Sequence, residues 1–166
     1  PKIESEAYGW ADTVVWSCST AHEVTRLSNV TGNAIDERYL ERPTLEALGL
    51  ANKFQISDWF NAMAIYNCMC RTFGTFFAEY DLLLTPTVAW LTPELGTWNS
   101  NQNISYDQFM HTTANCCPHT APFNVTGQPA ISLPLCTSDE GLPIGIQLVA
   151  RYGDESTLIR IAAQLE

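Results

Sequence analysis

An α/β fold is the expectation from three features of the sequence. The stretch "SDWFNAMAIYNCMCRTFGTFFAEY" carries apolar residues at helical spacing and runs straight into a short apolar segment, "YDLLLTPT". Two strand-like runs, "AISLPL" and "LPIGIQLVA", flank the turn "CTSDEG". An amphipathic stretch, "GDESTLIRIAAQLE", follows them. Helices, a strand, a helix, a strand pair and a closing helix form the order of a helix-covered sheet.

Each element has a local reason. Residues 7–30 read as helix, with Trp10, Val14, Val15 and Cys18 at helical spacing. "VTGNAIDERYLERP" is a connection closed by Pro43. "TLEALGLANKF" allows a short helix with Thr44 as its cap. The next helix takes Ser57 as cap and Asp58 in its first turn. One of its faces carries Phe60, Met63, Ala64 and Phe77, and another Trp59, Ala62, Tyr66, Met69 and Phe73. A helix apolar on more than one side is buried from more than one side. Residues 82–84 suit a buried strand of a parallel or mixed sheet, stopped by Pro86. "LTPELGTWNSNQN" reads as loop, "SYDQFMHTTANCC" as a capped helix and "PHTAPFNVTGQP" as irregular. Residues 130–135 and 144–150 are expected as adjacent antiparallel strands. Ile144, Ile146 and Leu148 share one face, while Gly145 and Gln147 share the other, Gly145 permitting close backbone approach. Asp154 caps the last helix, whose buried stripe is Leu158, Ile161, Ala162 and Leu165.

Composition narrows the partners. The chain is 46% hydrophobic, which excludes general disorder, and only 16% charged, where soluble domains carry roughly 25%. Either the surface is neutral or part of it faces something outside these residues. Eighteen acidic against eight basic residues leave a net charge of −10, with no basic run. Nucleic-acid binding and an anionic membrane surface are not expected. No apolar run approaches the ~20 residues of a membrane helix, and "PKIESEAYGW" lacks the apolar region of a signal peptide.

Six cysteines and three Asn-x-Ser/Thr patterns, at Asn29, Asn103 and Asn124, raise a secreted disulfide protein as one reading. Cys68 and Cys70 lie within a helix and Cys116 and Cys117 are adjacent, so neither pair bridges readily within itself. Reduced, partly buried thiols in a cytoplasmic protein are the favoured reading, with the asparagines bare. The core reading of "NVTGQPAISLP" needs residues 130–135 buried and Asn124 folded close to them.

"HTTANCCPH" gathers His111, Cys116, Cys117 and His119. It lacks the paired spacing of a zinc site, and no metal or other cofactor is expected. Cys117 and His119 as nucleophile and base is a further alternative. A pair of small apolar thiols beside a loop histidine is the favoured one. His22 reads as structural, and Ser138–Glu140 as a solvated turn. No P-loop, dinucleotide-binding glycine pattern or Gly-x-Ser-x-Gly elbow is present. "TAPFNVTGQPAISLP" is a stiff loop opening onto a strand, a frequent pocket wall in α/β enzymes.

"FFAEYDLLLTPTVAWLTPELG", "TAPFNVTGQPAISLPL" and "GLPIGIQLVARYGDESTLIRIAAQLE", in that order and spacing, resemble the C-terminal part of the amidase signature family. Residues 57–80 resemble the long helix before its strand, and residues 1–45 match loosely. The resemblance implies that residues 1–166 form the C-terminal part of a single domain around a large mixed sheet, incomplete in this chain. It implies hydrolysis of carboxamides by a Ser–cis-Ser–Lys triad. The family's Gly/Ser-rich segment is absent and Lys2 and Lys53 do not sit in its lysine context, so no catalytic residue is carried over. The implied role of this part is to supply core strands and a pocket wall formed by Cys117, His119, Thr120, Phe123 and Asn124. Cys117 falls where the amidotransferase branch tends to carry an aspartate. The implied partners are a small-molecule amide and a missing N-terminal part of the same enzyme, with homo-oligomerisation left open. The alternative from another class is a stand-alone, non-catalytic binding domain derived from an amidase.

Overall fold

The computed structural model describes residues 1–97, 99–100 and 104–165. The chain forms two compact units. One comprises residues 3–66 and 96–112, and the other residues 1–2, 67–95 and 113–166.

The first unit is helical. Helix α1 spans Ser5–Thr31, α2 spans Arg42–Ala51, and α3, Ile56–Glu79, begins here. Ala11 and Val14 of α1 pack on Ala62 of α3, with Val15, Cys18, Phe54, Ile65 and Tyr66 around them. Helix starts differ from the sequence expectation by a few residues. Pro43 does not close the connection before α2 but sits in its first turn, where a missing N–H costs nothing. Glu41 is the cap residue and Thr44 lies inside the helix. Ser57 likewise lies inside α3, and Asp58 reaches back to accept a hydrogen bond from the Gln55 N–H at 2.8 Å. The loop expected at "LTPELGTWNSNQN" is free of helix and strand over residues 91–94, while Trp98 and residues 101–103, with the Asn103 pattern, lie outside the described residues. Helix α4, Tyr106–Cys116, starts on a capping box: Ser105 Oγ accepts from Gln108 N–H at 3.2 Å, and Gln108 Oε1 accepts from Ser105 N–H at 2.9 Å. Glu46 also meets this terminus, accepting from the Tyr106 N–H at 2.6 Å and from Arg42 at 2.7 Å. Those two donors, the backbone N–H foremost, hold its carboxyl below the usual range.

Asp12 of α1 has the opposite balance. Tyr66 donates to its Oδ1 at 2.9 Å, yet burial outweighs that bond and lifts the carboxyl above its ordinary value. Folding therefore disfavours the ionised form. The penalty is absent below the unfolded-state pKa and complete once the pH has risen through the folded one. Asp12→Asn keeps an oxygen for Tyr66. In the complete protein it is expected to raise the melting temperature at pH 8, and the gain should vanish as the pH falls into the usual carboxylate range. A gain independent of pH would mean that ionisation is not the cost.

The second unit holds the sheet. Strands β1 (Leu82–Pro86), β2 (Ala130–Thr137) and β3 (Pro143–Ala150) lie in the order β1-β3-β2, all antiparallel. The β2–β3 pairing is the expected one. In β1 Leu84 is exposed and Leu82 and Leu83 half-buried, so this strand is an edge rather than a buried interior strand. Register places Leu133 opposite Ile146 and Cys136 opposite Ile144, so Pro134 and Leu135 together oppose Gly145. This bulge breaks the alternation, which is why Leu135 is exposed although the core reading needs residues 130–135 buried. Ala130 is exposed as well.

Helix α6, Glu155–Leu165, is capped by Asp154, whose carboxylate accepts from the Thr157 hydroxyl at 2.8 Å and its N–H at 3.4 Å. Leu158, Ala162 and Ile161 pack on Leu133, Leu148, Ala150, Leu82 and Ile131. Leu165, expected in this stripe, is 44% exposed at the last turn.

Helix α3 is buried on one face only. Ala62, Met69, Phe73 and Phe77 are buried, while Phe60 is 67% exposed and Ala64 exposed. Cys68 and Cys136 are exposed too, against the expectation of partly buried thiols. Trp10 is more exposed than its helical spacing suggests.

Candidate functional site

The two faces of the sheet differ in chemistry. Alternation and register put Leu82, Ile131, Leu133, Leu148 and Ala150 on the face covered by α6. The opposite face begins apolar at Leu83, Val149 and Ala130, and turns polar at Thr85, Gln147 and Ser132. Beyond them Thr87 meets Gly145: the Thr87 N–H donates to the Gly145 carbonyl at 2.9 Å, and Thr87 Oγ1 lies 2.6 Å from Ser132 Oγ. Gly145 is required there by space. A Cβ on it would stand 2.8 Å from both hydroxyl oxygens and 3.2 Å from Thr87 Cβ.

Against this polar face stands the turn after α4. The Cys117 carbonyl accepts from the Thr120 N–H at 3.3 Å, the Ala121 N–H at 3.2 Å and the Thr120 hydroxyl at 3.4 Å, which closes residues 117–121 into a compact turn. Gln147, only 4% exposed, joins the turn to the sheet. Its Nε2 donates to Thr85 Oγ1 and to the His119 carbonyl, both at 2.9 Å. A second tie is the Ala89 N–H, which donates to the Cys116 carbonyl at 2.8 Å.

The turn leads into α5, Ala121–Thr126, where the sequence pattern suggested irregular chain. The residues that suggested irregularity are the helix's own signals: Pro122 sits in its first turn, and Gly127 ends it with φ 73°, its N–H bonded to Phe123 O at 3.0 Å. Phe123 is buried, its ring edge-on to Phe73 of α3 at 5.2 Å. Asn124 is exposed on α5, contrary to the folded-in position the core reading needed, and Asn29 is exposed near the end of α1.

Of the residues singled out in the sequence, Cys117, His119 and Thr120 therefore share one turn, all half-buried. Phe123 forms the packing beneath it and Asn124 faces outward. Thr85, Thr87 and Ser132 were not singled out, although the alternation that grouped Gly145 with Gln147 pointed to their face. Cys116 is buried, and burial first, then its hydrogen bond with the Cys117 thiol, pushes its pKa up. Among the described residues no three His, Cys, Asp or Glu side chains are grouped to hold a metal ion, and no helix is long and apolar enough to cross a membrane. An open depression of about 490 Å³, lined by Glu4, Glu6, Ala7, Trp10 and Ile65, lies in the helical unit. The candidate residues belong to the sheet unit, and hydroxyls, an amide, a thiol and an imidazole there offer hydrogen-bond donors and acceptors.

A family model described as Amidase matches residues 2–159. The chain belongs to the amidase family, and one solved structure that shares its fold, at 19% identity and a TM-score of 0.68, is a bacterial aryl acylamidase of the amidase signature family. The chain is 45% identical over 93 residues to a 6-aminohexanoate-cyclic-dimer hydrolase of Paenarthrobacter ureafaciens, covering 54% of this chain and 19% of that protein. It is 35% identical over 151 residues to the putative amidase AmiC of Mycobacterium leprae, covering 91% of this chain and 31% of that one. A solved 6-aminohexanoate cyclic dimer hydrolase complexed with substrate superposes with a TM-score of 0.81 at 30% identity, over 96% of this chain and 34% of the other. The chain thus spans between about a fifth and a third of the length of these relatives. The helix-covered sheet meets the expectation of an α/β, amidase-type fold.

Proposed function

We propose that the chain is the C-terminal part of one amidase domain that hydrolyses linear or cyclic carboxamides in the cytoplasm. The Ser–cis-Ser–Lys machinery is supplied by an N-terminal part outside these residues. In that mechanism an activated serine attacks the carboxamide carbon while backbone amides hold the oxyanion. The part described here contributes core strands and one wall of the substrate pocket, with Cys117, His119 and Thr120 at its surface, Phe123 packed beneath them and Asn124 on the exposed side of α5.

The observation that carries this reading is the polar sheet face with the 117–121 turn fastened over it. Gln147 is buried there with both amide hydrogens bonded, Thr85 and Thr87 are half-buried and Ser132 is exposed, so hydrogen-bonding groups are gathered on one side of the sheet. The side chains exposed on β1, α3 and α6, notably Leu84, Phe60 and Ile159, give the rest of such a domain apolar surface to cover. Membership of the amidase family and the names of the relatives support amide hydrolysis as the reaction.

The thiol of Cys117 offers no negative charge to a cationic group, and a buried ammonium without a partner is strongly disfavoured. The pocket accordingly prefers neutral or apolar amides. In the complete enzyme, Cys117→Asp is expected to shift the ratio of kcat/KM for 6-aminohexanamide over hexanamide upward by roughly tenfold, the effect of about 1.4 kcal/mol. Cys117→Trp should raise KM or abolish turnover while the far-ultraviolet circular dichroism stays native. Wild-type kinetics for both variants would remove Cys117 from the pocket. The isolated chain should turn over neither amide; turnover lost on Cys117→Ala would favour a thiol mechanism instead.

A further inference from the structure

We propose that Gln147 is a positioning residue that holds the 117–121 turn at the working distance from the polar sheet face, a role that rests on the pocket-wall reading above. The atom assignment follows from chemistry. A backbone carbonyl only accepts, so the Gln147 atom facing the His119 oxygen must be the amide nitrogen. The same nitrogen reaches the Thr85 hydroxyl oxygen, and both of its hydrogens are then engaged. Thr85 sets the rotation of the amide plane, and His119 is what that plane holds.

The position is informative because an apolar residue would be easier to bury there. Gln147 lies in β3, the central strand, with Thr85 of β1 and Ser132 of β2 as its register partners. It is 4% exposed and is flanked along its own strand by Ile146 and Leu148. The His119 carbonyl precedes the first turn of α5. That turn uses the Cys117 and Thr120 carbonyls, as acceptors for Ala121 N–H at 3.2 Å and Phe123 N–H at 3.1 Å. The His119 oxygen is thus left for the sheet to hold, and Gln147 brings it a donor from a different element.

A tether of this kind acts on the population of the binding-competent turn. If the freed turn occupies that position a tenth of the time, apparent affinity falls tenfold while turnover from the bound state is unchanged. Loss of Gln147 therefore appears in KM rather than in kcat.

The test uses the complete enzyme with hexanamide and benzamide as probes, and hydrogen exchange as an independent readout. Gln147→Met, similar in length but without donors, is expected to raise KM about tenfold with kcat within about threefold, and to speed amide exchange in residues 117–121 while the β2–β3 ladder stays protected. Thr85→Val, which frees the amide plane without emptying the site, should show the same pattern more weakly, and Thr85→Ser should restore it; these carry the test if Gln147→Met fails to fold. Unchanged exchange in the turn, or a fall in melting temperature with exchange and KM both unchanged, overturns the positioning role. Faster exchange in the turn with unchanged KM upholds the tether but overturns the pocket-wall reading, and with it the functional role.

Discussion

Leu158→Asp is expected to destabilise the complete enzyme by about 4 kcal/mol, because it places an unpaired carboxylate in apolar packing. Leu158 is 4% exposed and sits among Leu133, Leu148, Ala150 and Ala162, where α6 covers the apolar sheet face. Burial of that side chain is itself worth about 1.5–3 kcal/mol, and the charge adds a desolvation cost. Leu158→Met, which nearly conserves volume, should cost under about 1.5 kcal/mol. The denaturant midpoint, read with an unchanged slope, separates the two variants. A wild-type midpoint for the aspartate variant would mean that α6 does not pack on this sheet.

Gly145→Val should cost about 1–3 kcal/mol, the range for overpacking a filled site. Its Cβ would enter the 2.6 Å gap region between Thr87 and Ser132 and drive the two hydroxyls apart. The hydroxyl oxygens can rotate away, but Thr87 Cβ, 3.2 Å from the same point, can yield only with its backbone. Gly145→Ala made in a Thr87→Ala, Ser132→Ala background, which lacks both hydroxyl oxygens that the new Cβ would meet, should cost less than in the parent, with a coupling of about 1 kcal/mol. Strict additivity in that cycle would show that the glycine is there for another reason. Since the same hydroxyls line the candidate site, kcat/KM for simple amides should fall along with stability.

Much of the fold was legible because its signals are local. The helical period of α3, the apolar run at β1, the turn "CTSDEG" and the stripe of α6 all announce themselves within a few residues. The errors have equally local causes. Pro122 and Gly127 read as marks of irregular chain but are start and stop signals of one short helix. The core reading buries all of residues 130–135, but no residue there signals the bulge at Pro134 and Leu135 that turns Leu135 outward. Pro43 reads as a terminator, although proline also suits a first helical turn. The candidate site was only half visible. Alternation grouped Gly145 with Gln147, and the resemblance pointed to Cys117, His119 and Thr120. Thr85, Thr87 and Ser132 joined them only through register between distant segments, which no short window of sequence contains. Phe123 shows the converse: an aromatic residue in a loop-like stretch gives no sign that its partner is Phe73, on a helix far upstream.

The strand order β1-β3-β2 also sets a timetable for synthesis. The β2–β3 hairpin closes over a short turn and can form as soon as both strands have left the ribosome. Strand β1 has no such neighbour: its register partners run from Ile146 to Ala150, and everything from Thr87 to Leu142 must be translated before they exist. At about 5–20 residues per second that wait lasts several seconds. Throughout it Leu82, Leu83 and Leu84 lack the β3 partners they have in the finished sheet. The central strand is thus the last to arrive, and its emergence is the event that turns two separate pieces of nascent chain into one sheet.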